Sequence, residues 1–515
     1  MEPHYLVAMK ETVRHAMEIT QRQISLYERV PPLVYACMAR GGKTTFLYEL
    51  FDQLQKVGVL PVFITFLDYN PSTRETALQS ITRQIASQLL SLQLTPLEQD
   101  RLFVADPDTL WRYIDTVCAD RPVVLLIDEL NMLGYPLDRE AAIALKHEWL
   151  DRKGRYLIFS SHVPLNLDES MAAASYLQPG AGMPVSDRDV ATVPMPNCTN
   201  PRELEKMFPC GGTSVSPAEV AMYSGVPSLM YVAKSSSHTE DLVARFNRAR
   251  IHVAPAEAPE VLAELMAAVI TGNQGGEKLR RFYQFGQVVA QLRIIWPILY
   301  LSCMLHLFPC GRKLRLLDLL NRSMSVHAAR TEAGADWEVI VQVAILLQSL
   351  YCKTNGGTGP FNIVPDGHVC SSVDCMDLNA EVKTVAAADA LLTGRLESLP
   401  AGTILAAVPV YAKFPGFDGF VYFKGGTNAL GTPVVIKVGY QVKLGRAYPS
   451  GPVPACLDRG VLVRGHPPLR PNRNGKWVYA GSAEIDSLLG ASLAGLKPSE
   501  WPDHPTVDGF DPLVA

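Results

Sequence analysis

Residues 31–54 read PPLVYACMARGGKTTFLYELFDQL, a short apolar run followed by two glycines and then by apolar residues at helical spacing. This order predicts a buried strand, a tight loop and an amphipathic helix. Gly41 and Gly42 allow the loop to turn its backbone N–H groups toward an anion, and the helix N-terminus adds the positive end of its dipole. The stretch therefore predicts an α/β fold with a phosphate-binding loop.

The side chains beside these glycines suit a nucleotide bound with Mg²⁺. Lys43 is placed to reach the β and γ phosphates, and the Thr44 hydroxyl is placed to hold Mg²⁺. The full GxxxxGK[ST] pattern has a glycine where this chain has Cys37, so the GGKT half alone is present. The candidate nucleotide-binding residues of the loop are Arg40, Gly41, Gly42, Lys43, Thr44 and Thr45.

A second motif follows the apolar run at residues 123–127, where Asp128 and Glu129 stand side by side. Two carboxylates directly after a buried strand are costly for structure alone. Asp128 can hold Mg²⁺ through water, and Glu129 can polarise the water that attacks the γ-phosphate. We therefore take Asp128 as a magnesium and nucleotide ligand and Glu129 as a catalytic residue.

A third apolar run, at residues 156–161, ends in Ser160 and Ser161 before His162. These polar groups either sense the γ-phosphate or close a strand end in a satisfied turn, and both interpretations stay open. Ser161 is kept as a nucleotide-binding candidate.

Strands and helices alternate around these motifs. Residues 60–66 read as a strand, and residues 75–90 and 138–151 read as helices. The alternation predicts a parallel sheet with the nucleotide at the carboxyl ends of its strands.

The motifs together resemble the P-loop ATPases of the AAA and STAND-like lineage, in which a glutamate directly follows the Walker-B aspartate. The stretch Gly225-Val226-Pro227 resembles the GxP turn of STAND-type members. The resemblance implies ATP and Mg²⁺ as ligands and ATP hydrolysis as an activity.

Composition limits the remaining possibilities. The chain has 515 residues, 48% of them hydrophobic and 19% charged, which is typical of a packed protein of several domains. A net charge of -4 excludes a strong field of one sign over the whole molecule. Ten cysteines without a CxxC pair indicate reduced thiols in an intracellular setting.

Residues 261–320 have a helical pattern without an acid–base or metal constellation, and we expect a helical linker or lid there. The apolar run at residues 294–308 is 15 residues long, which is too short to span a membrane, so we expect a buried helix. The first 20 residues carry charged side chains at Glu2, Lys10, Glu11 and Arg14, within the stretch where a signal peptide needs an uninterrupted apolar run, and so predict no signal peptide.

A hairpin is predicted in the C-terminal third, with strands at about 417–423 and 433–444 around a Gly- and Asn-rich turn. If the pairing is symmetric about the turn, Asp418 lies opposite Gln441. Lys443 then projects from the same face as Gln441, because side chains repeat every two residues along a strand. An Asp, a Gln and a Lys together are costly in a core and sensible around a metal.

This arrangement resembles the PD-(D/E)xK nucleases of the restriction-endonuclease-like fold. The resemblance implies that Asp418, the Gln441 side-chain oxygen and the Val442 carbonyl hold Mg²⁺, while Lys443 positions the attacking water. Gln441 stands where the family has an acid, which removes one negative charge. The helix at GADWEVIVQVAILLQ resembles the first helix of that fold, and adds Glu338 as a further candidate.

Two other groups in this region are weaker candidates. Glu381 and Lys383 form a rival ExK, which we expect on a solvated helix face, since residues two apart on a helix point in different directions. His368, Cys370 and Cys375 lack a partner pair with zinc-ligand spacing and are interpreted as structural.

Local charge favours a nucleic-acid partner. Residues 411–480 contain ten basic and two acidic residues, a net charge of +8, so the rest of the chain carries -12. A basic region around a candidate phosphodiesterase site is the pattern expected of a DNA contact, and a solvated basic loop at residues 464–476 is the alternative.

A P-loop ATPase joined to a restriction-endonuclease-like domain is similar to the Crinkler and retrotransposon-hot-spot family of eukaryotic microbes. The resemblance implies an effector with host nuclear partners, delivered to a host nucleus by secretion; self-association is left open. The predicted fold is α/β, and its segments are an N-terminal helix (1–30), a P-loop NTPase domain (31–235), a helical linker or lid (236–325) and a nuclease domain (326–515).

Two functions follow from this sequence. The first is an ATP-regulated, Mg²⁺-dependent DNA nuclease. The second is a nucleotide-dependent switch whose nuclease fold has become a binding module, and Gln441 is its main support. An ATPase that is stimulated by nucleic acid without cleaving it is a third alternative.

Overall fold

The computed structural model describes residues 9–26, 32–36, 42–66, 76–90, 107–117, 121–130, 139–161, 191–195, 198–208, 214–235, 239–273, 276–289, 293–309, 318, 333–410, 414–428, 430–444, 451–465 and 476–497. Contacts divide the chain into two compact units. Unit 1 comprises residues 1–196 and 282–292, and unit 2 comprises residues 197–281 and 293–515. The domain boundaries expected at residues 31, 236 and 326 stay predictions.

The N-terminal part of the chain alternates helices and strands, as the sequence predicts. Its elements are α1 (Met9–Leu26), β1 (Leu33–Ala36), α2 (Lys43–Lys56), β2 (Leu60–Thr65), α3 (Ala77–Leu90), α4 (Pro107–Val117), β3 (Val123–Asp128), α5 (Arg139–Leu145), a π-helical turn (Lys146–Leu150), β4 (Arg155–Ser161) and β5 (Ala191–Thr192).

These strands form a five-stranded parallel sheet in the order β2-β3-β4-β1-β5. Strands β3 and β4 are buried along their whole length, as expected of parallel strands covered on both faces. On one face, apolar residues of α1 and α2, among them Val13, Phe46 and Leu50, pack on the sheet residues Tyr35 and Leu126. The α/β class and the parallel sheet are confirmed.

The next segment is mostly helical. Its elements are α6 (Pro201–Glu205), α7 (Pro217–Tyr223), α8 (Pro227–Ser235), α9 (Thr239–Arg248), α10 (Ala258–Thr271), a 3₁₀ segment (Glu277–Phe285), β6 (Gln287–Val289), β7 (Arg293–Ile295) and α11 (Ile298–Leu305). The Gly225-Val226-Pro227 stretch forms the turn between α7 and α8, where Ser224 and Gly225 have positive φ.

The helical expectation for this segment is correct for α10 and for the buried helix α11, and it is wrong for the residues that form β6 and β7. The stretch that begins at residue 278 does not continue as one helix. Gly286 ends the 3₁₀ segment, and the β-branched residues Val288 and Val289 favour the strand β6. The apolar run at 294–308 forms β7 and then the buried helix α11, since Pro297 cannot lie inside a helix and instead caps its start. None of the described helices is long and apolar enough to cross a bilayer.

The C-terminal elements build a second sheet. They are α12 (Ala333–Asn355), a 3₁₀ turn (Pro360–Asn362), β8 (Ser372–Leu378), α13 (Val385–Glu397), β9 (Thr403–Pro409), β10 (Gly419–Thr427), β11 (Pro433–Lys443), β12 (Arg459–Arg464), β13 (Trp477–Tyr479), α14 (Ser482–Leu493) and a 3₁₀ turn (Ala494–Leu496).

This sheet has six strands in the order β13-β12-β11-β10-β9-β8 and is mixed. The β9–β10 and β10–β11 pairs are antiparallel, and the other three are parallel. Helix α13 packs apolar residues against one face, where Phe420, Tyr422, Leu405 and Leu462 contribute to the core. Helix α12 contacts β8, β9 and β11.

The hairpin register predicted from the sequence is confirmed, since Gly419 pairs with Tyr440 and Phe420 with Gly439. The expectation that Glu381 and Lys383 lie on a helix is wrong. Helix α13 begins at Val385, because the Thr384 side chain caps it by accepting from the Ala387 N–H, so both charges lie in the exposed turn before it. Among the described cysteines, Cys198, Cys303, Cys352, Cys370, Cys375 and Cys456 form no disulfide.

Candidate functional site

The first candidate site lies at the carboxyl ends of the parallel strands of unit 1. Helix α2 follows β1 and begins at Lys43. In the sheet, β4 lies between β1 and β3. Gly42 precedes the helix with φ +90°, a conformation that favours glycine. An added Cβ there would come within 3.2 Å of the Met9 Cε atom. Cys37, Arg40, Gly41 and His162 lie outside the described residues.

Asp128 is held by hydroxyl groups from two neighbouring elements. The Thr44 Oγ1 donates to Asp128 Oδ2 at 2.7 Å, and the Ser160 Oγ donates to Oδ1 at 2.6 Å. The Asp128 residue is only 1% exposed. Each carboxylate oxygen therefore has a fixed direction at the tip of β3, next to the first turn of α2.

Lys43 and Glu129 form a buried ion pair beside this carboxylate. The Lys43 Nζ lies 3.2 Å from Glu129 Oε1, and both side chains are less than a tenth exposed. Glu129 has φ +60°, which is uncommon for a residue with a side chain, and its N–H donates to the Ser160 Oγ at 2.9 Å. Such a backbone conformation is unfavourable by itself, so the hydrogen bond to Ser160 and the ion pair with Lys43 help to hold Glu129 in it.

The remaining nucleotide candidates surround this centre. Thr45 lies half-buried in the first turn of α2, and Ser161 is fully buried at the end of β4. The sequence pattern is compatible with Ser160 either as a phosphate sensor or as part of a satisfied strand end. In the structure the Ser160 hydroxyl donates to the Asp128 carboxylate and accepts from the Glu129 N–H. These contacts join neighbouring strands, so no local sequence pattern predicts them.

The second candidate site lies where β10 begins and β11 ends. Asp418 is in a bend one residue before β10, and its N–H donates to the Tyr440 carbonyl at 2.9 Å. Its Oδ2 accepts from the Val442 N–H at 2.6 Å. Strand β10 begins only at Gly419, so the Asp418 carboxylate accepts the hydrogen bond from Val442 that a main-chain carbonyl accepts farther along the sheet.

Burial raises the pKa of Asp418 above the usual value of an aspartate, and the Val442 N–H and the Lys443 charge partly oppose that shift. Gln441 is only 3% exposed, and its side-chain Oε1 has no hydrogen-bond partner. A buried acceptor without a donor costs free energy, so it suits a ligand that supplies a donor or a positive charge.

Tyr440 connects the remaining candidate to this end of the sheet. Burial raises the pKa of the Tyr440 hydroxyl, and the charges of Asp418 and Glu338 raise it further. Glu338 on α12 and Asp418 before β10 thus both act on the Tyr440 Oη. Among the described residues, no three His, Cys, Asp or Glu side chains are grouped to hold a metal ion.

No family model matches the chain, and no curated protein matches it. Among solved structures, the chain is similar to the Aeropyrum pernix ORC2 protein in its ADPNP–ADP complexes, at 14% identity and a TM-score of 0.28 over 50% of this chain and 73% of that one. It is similar to Cdc6p from Pyrobaculum aerophilum at 12% identity and a TM-score of 0.28 over 58% of this chain and 93% of that one. The AMPPCP-bound DnaA from Aquifex aeolicus gives 12%, a TM-score of 0.26, and 52% and 75%. Similarities this remote carry no argument about function.

Proposed function

We propose that unit 1 binds ATP together with Mg²⁺ and hydrolyses it. The observation that carries this proposal is the buried Lys43–Glu129 pair beside Asp128 and Thr44 at the carboxyl edge of a parallel sheet. Ligands of open α/β sheets bind at that edge, and a helix N-terminus favours phosphate there.

The donor set fits the magnesium ion that accompanies ATP. The Thr44 hydroxyl and the Asp128 carboxylate are hard oxygen ligands already within 2.7 Å of each other. When bound, Mg²⁺ neutralises phosphate charge. Lys43 binds the phosphates, and Ser160 keeps the Asp128 carboxylate oriented.

Phosphate binding requires Lys43 to exchange its partner. The Lys43 ammonium group pairs with Glu129 in this structure, and a triphosphate offers it a stronger negative partner. Glu129 then loses its cation and becomes available to accept a proton from water. Binding and activation of the base are linked through one ion pair.

The experiment is an ATPase assay of the purified chain with Mg²⁺, comparing the wild type with Lys43→Ala. We expect the variant to lose about 100-fold in turnover, because Lys43 stabilises charge on the transferred phosphate. The control is Lys56→Ala, which removes an exposed lysine from the last turn of the same helix. Equal turnover in the wild type and in Lys43→Ala would refute the proposal.

We further propose that unit 2 carries a Mg²⁺-dependent DNA nuclease site made by Asp418, Gln441 and Lys443, with Glu338 as a supporting acid. The buried Gln441 Oε1 without a hydrogen-bond partner supports a ligand at this place. Asp418 and Gln441 supply two oxygen ligands for Mg²⁺, and Lys443 is the cation that stabilises charge on the phosphate and orients water.

One observation favours a second candidate, in which the domain binds DNA without cutting it. Gln441 is uncharged, and burial raises the pKa of Asp418, so the site attracts a divalent cation less than two ionised carboxylates would. In this case the ATPase acts as a switch on a binding module.

Incubation of the full chain with plasmid DNA and Mg²⁺, with and without ATP, separates the two candidates. Cleavage that disappears in Asp418→Ala but persists in Asp366→Ala, an exposed carboxyl of the same unit, supports the nuclease. Cleavage that ATP alters in the wild type but not in Lys43→Ala supports ATP control. DNA binding with no cleavage by any form refutes the nuclease and supports the binding module.

Membership of the Crinkler and retrotransposon-hot-spot family, delivery to a host nucleus, host nuclear partners and self-association are proposals of the same origin. They rest on the resemblance of the GGKT, Asp128-Glu129 and Gln441-Val442-Lys443 motifs. Light scattering of the purified chain with and without ATP tests the self-association directly.

A further inference from the structure

The strand before the predicted phosphate-binding loop and the helix after it are joined by stacked aromatic rings. Tyr35 lies in β1 and Phe46 in the first turn of α2, and the loop, residues 37–42, lies between them in the sequence. The two ring centroids are 3.9 Å apart, and the ring planes are inclined by 13°. Both side chains are fully buried, so this stack fixes the separation between the two ends of the loop.

Met9, the first residue of α1, contacts both ends of this loop. The Tyr35 hydroxyl donates to the Met9 Sδ at 3.4 Å. A Cβ added to Gly42 would lie 3.2 Å from the Met9 Cε and 3.6 Å from the Met195 Cε, so both methionine methyl groups lie close beside this glycine. Met9 and Met195 are both buried. Met9 therefore connects strand β1 with the residue that directly precedes α2.

Gly42 determines the direction of the first turn of α2. Its carbonyl accepts a hydrogen bond from the Phe46 N–H at 2.9 Å, and its φ of +90° is one that glycine adopts at little cost. Lys43 and Thr44 follow directly, and these are the residues that we assign to the phosphates and to Mg²⁺. A displacement of Gly42 therefore moves the N–H groups and the side chains that would meet the nucleotide.

We propose that Met9 is a positioning residue for ATP, because it holds Gly42 and the start of α2 in the arrangement that accepts the triphosphate. Glycine loses more conformational freedom than any other residue when its backbone becomes ordered. A glycine that the protein orders beforehand spares the ligand this cost, which is the general advantage of preorganisation. Met9 acts through Gly42, so its effect falls on ATP affinity and not on hydrolysis of bound ATP. This inference rests on the proposed ATP site of unit 1.

The experiment measures two quantities on the full chain with Mg²⁺. Isothermal titration gives the Kd for the non-hydrolysable β,γ-methylene analogue of ATP, and phosphate release gives the kcat for ATP. We expect Met9→Ala to raise the Kd about fivefold, because Gly42 loses its support, and to change kcat less than twofold. Met9→Leu keeps an apolar side chain of similar size, so we expect it to recover most of the affinity.

The matched control is Val13→Ala, which truncates another buried residue of α1 in the same apolar core. Val13 does not come within 4 Å of the Cβ position at Gly42, so we expect this variant to lower the melting temperature but to change the Kd less than twofold.

If Met9→Ala lacks the thermal transition of the wild type, Met195→Ala decides, because it removes the other methyl group beside Gly42 and should raise the Kd about threefold. A Kd equal to that of Val13→Ala in the deciding variant, or a lower kcat with an unchanged Kd, overturns the inference alone. A wild type that binds no ATP analogue overturns both the inference and the proposed ATP site.

Discussion

Lys43 and Glu129 place opposite charges where almost no solvent reaches them. Each charge is tolerated because of the other, since removing one partner of a buried pair leaves an uncompensated charge. The pair therefore opposes nucleotide binding to the extent that the phosphates must replace Glu129 as the partner of Lys43.

We predict that Glu129→Gln binds ATP more tightly and hydrolyses it more slowly. Loss of the competing carboxylate should lower the Kd for ATP about fivefold, and loss of the base should lower turnover about 100-fold. Isothermal titration and a phosphate-release assay measure the two effects. Glu148→Gln, which removes another acid of unit 1 from an ion pair with Arg155, is the control. Weaker ATP binding by Glu129→Gln would contradict the competition between Glu129 and phosphate.

Asp418 gives a prediction about pH. Its pKa is raised in the folded protein, so the folded state holds the Asp418 proton more tightly than the unfolded state does. Stability is therefore lost as the pH rises from about 4 through the folded-state pKa, and the full penalty remains at neutral pH. Asp418→Asn removes that penalty and can still accept from the Val442 N–H.

We expect Asp418→Asn to raise the melting temperature at pH 7 by about 2 °C and to have no effect near pH 3.5. Differential scanning calorimetry at both pH values measures this difference. Asp366→Asn, an exposed carboxyl of unit 2, serves as the control. A variant that melts lower than the wild type at pH 7 would show that ionised Asp418 stabilises the fold.

At the level of elements, strand β10 offers two glycines in contrasting surroundings. A Cβ built on Gly419 would lie 2.1 Å from the Tyr440 Oη, whereas a Cβ on Gly426 meets nothing within 4 Å. The close approach at Gly419 lets Tyr440 pack against the start of β10, next to Asp418.

We predict that Gly419→Ala destabilises unit 2 by about 1–3 kcal/mol, because the ring must move within a packed core. Gly426→Ala should be neutral or stabilising by about 0.5 kcal/mol, since alanine loses less chain entropy on folding. Urea unfolding curves of the three proteins test this difference. Equal urea midpoints for the two variants would mean that the Tyr440 ring can move aside without a loss of stability.

Elements with a local signal could be predicted from the sequence. Strand β1, helix α2 and strand β3 follow from apolar periodicity and turn residues, and the β10–β11 register follows from a symmetric turn. Strand β9 has no such signal, because a buried run such as TILAAVP can be a strand or part of a helix.

Contacts between distant segments could not be predicted in the same way. Ser160 donates to Asp128 because β4 lies beside β3, and Arg464 is in register with Lys443 because β12 runs parallel to β11. Parallel strands are joined by long connections, so no turn fixes their register in the sequence. The site residues supplied by these neighbours appear only in the folded chain.

At the scale of the whole molecule, the ten basic residues of 411–480 are not equivalent. Lys424 directs its Nζ to the carbonyls of residues 396, 397 and 399, which uses all three of its donors. Lys437 pairs with Asp389, and Arg459 and Lys476 donate to main-chain carbonyls. Four of the ten cations therefore already have structural partners.

This division predicts how DNA binding depends on salt. If the four cations with structural partners contact no phosphate, at most six of the ten contribute, and Lys413, Arg446, Arg470 and Arg473 among these six lie outside the described residues. Six contacts give a slope of log K against log salt of about -5, whereas ten would give about -9. Anisotropy titrations between 50 and 200 mM salt should thus show an affinity loss of about 1,000-fold.

Lys424→Met is the control that separates structural cations from those that bind DNA. We expect it to leave the slope unchanged, because its ammonium group is committed to the end of α13 and has no donor left for a phosphate. Lys443→Met should reduce the slope by about one. A slope near -9 in the wild type, or an equal reduction in both variants, would show that cations with structural partners also bind DNA. In that case the salt dependence of DNA binding would follow the total number of basic residues in 411–480, whether or not they have structural partners.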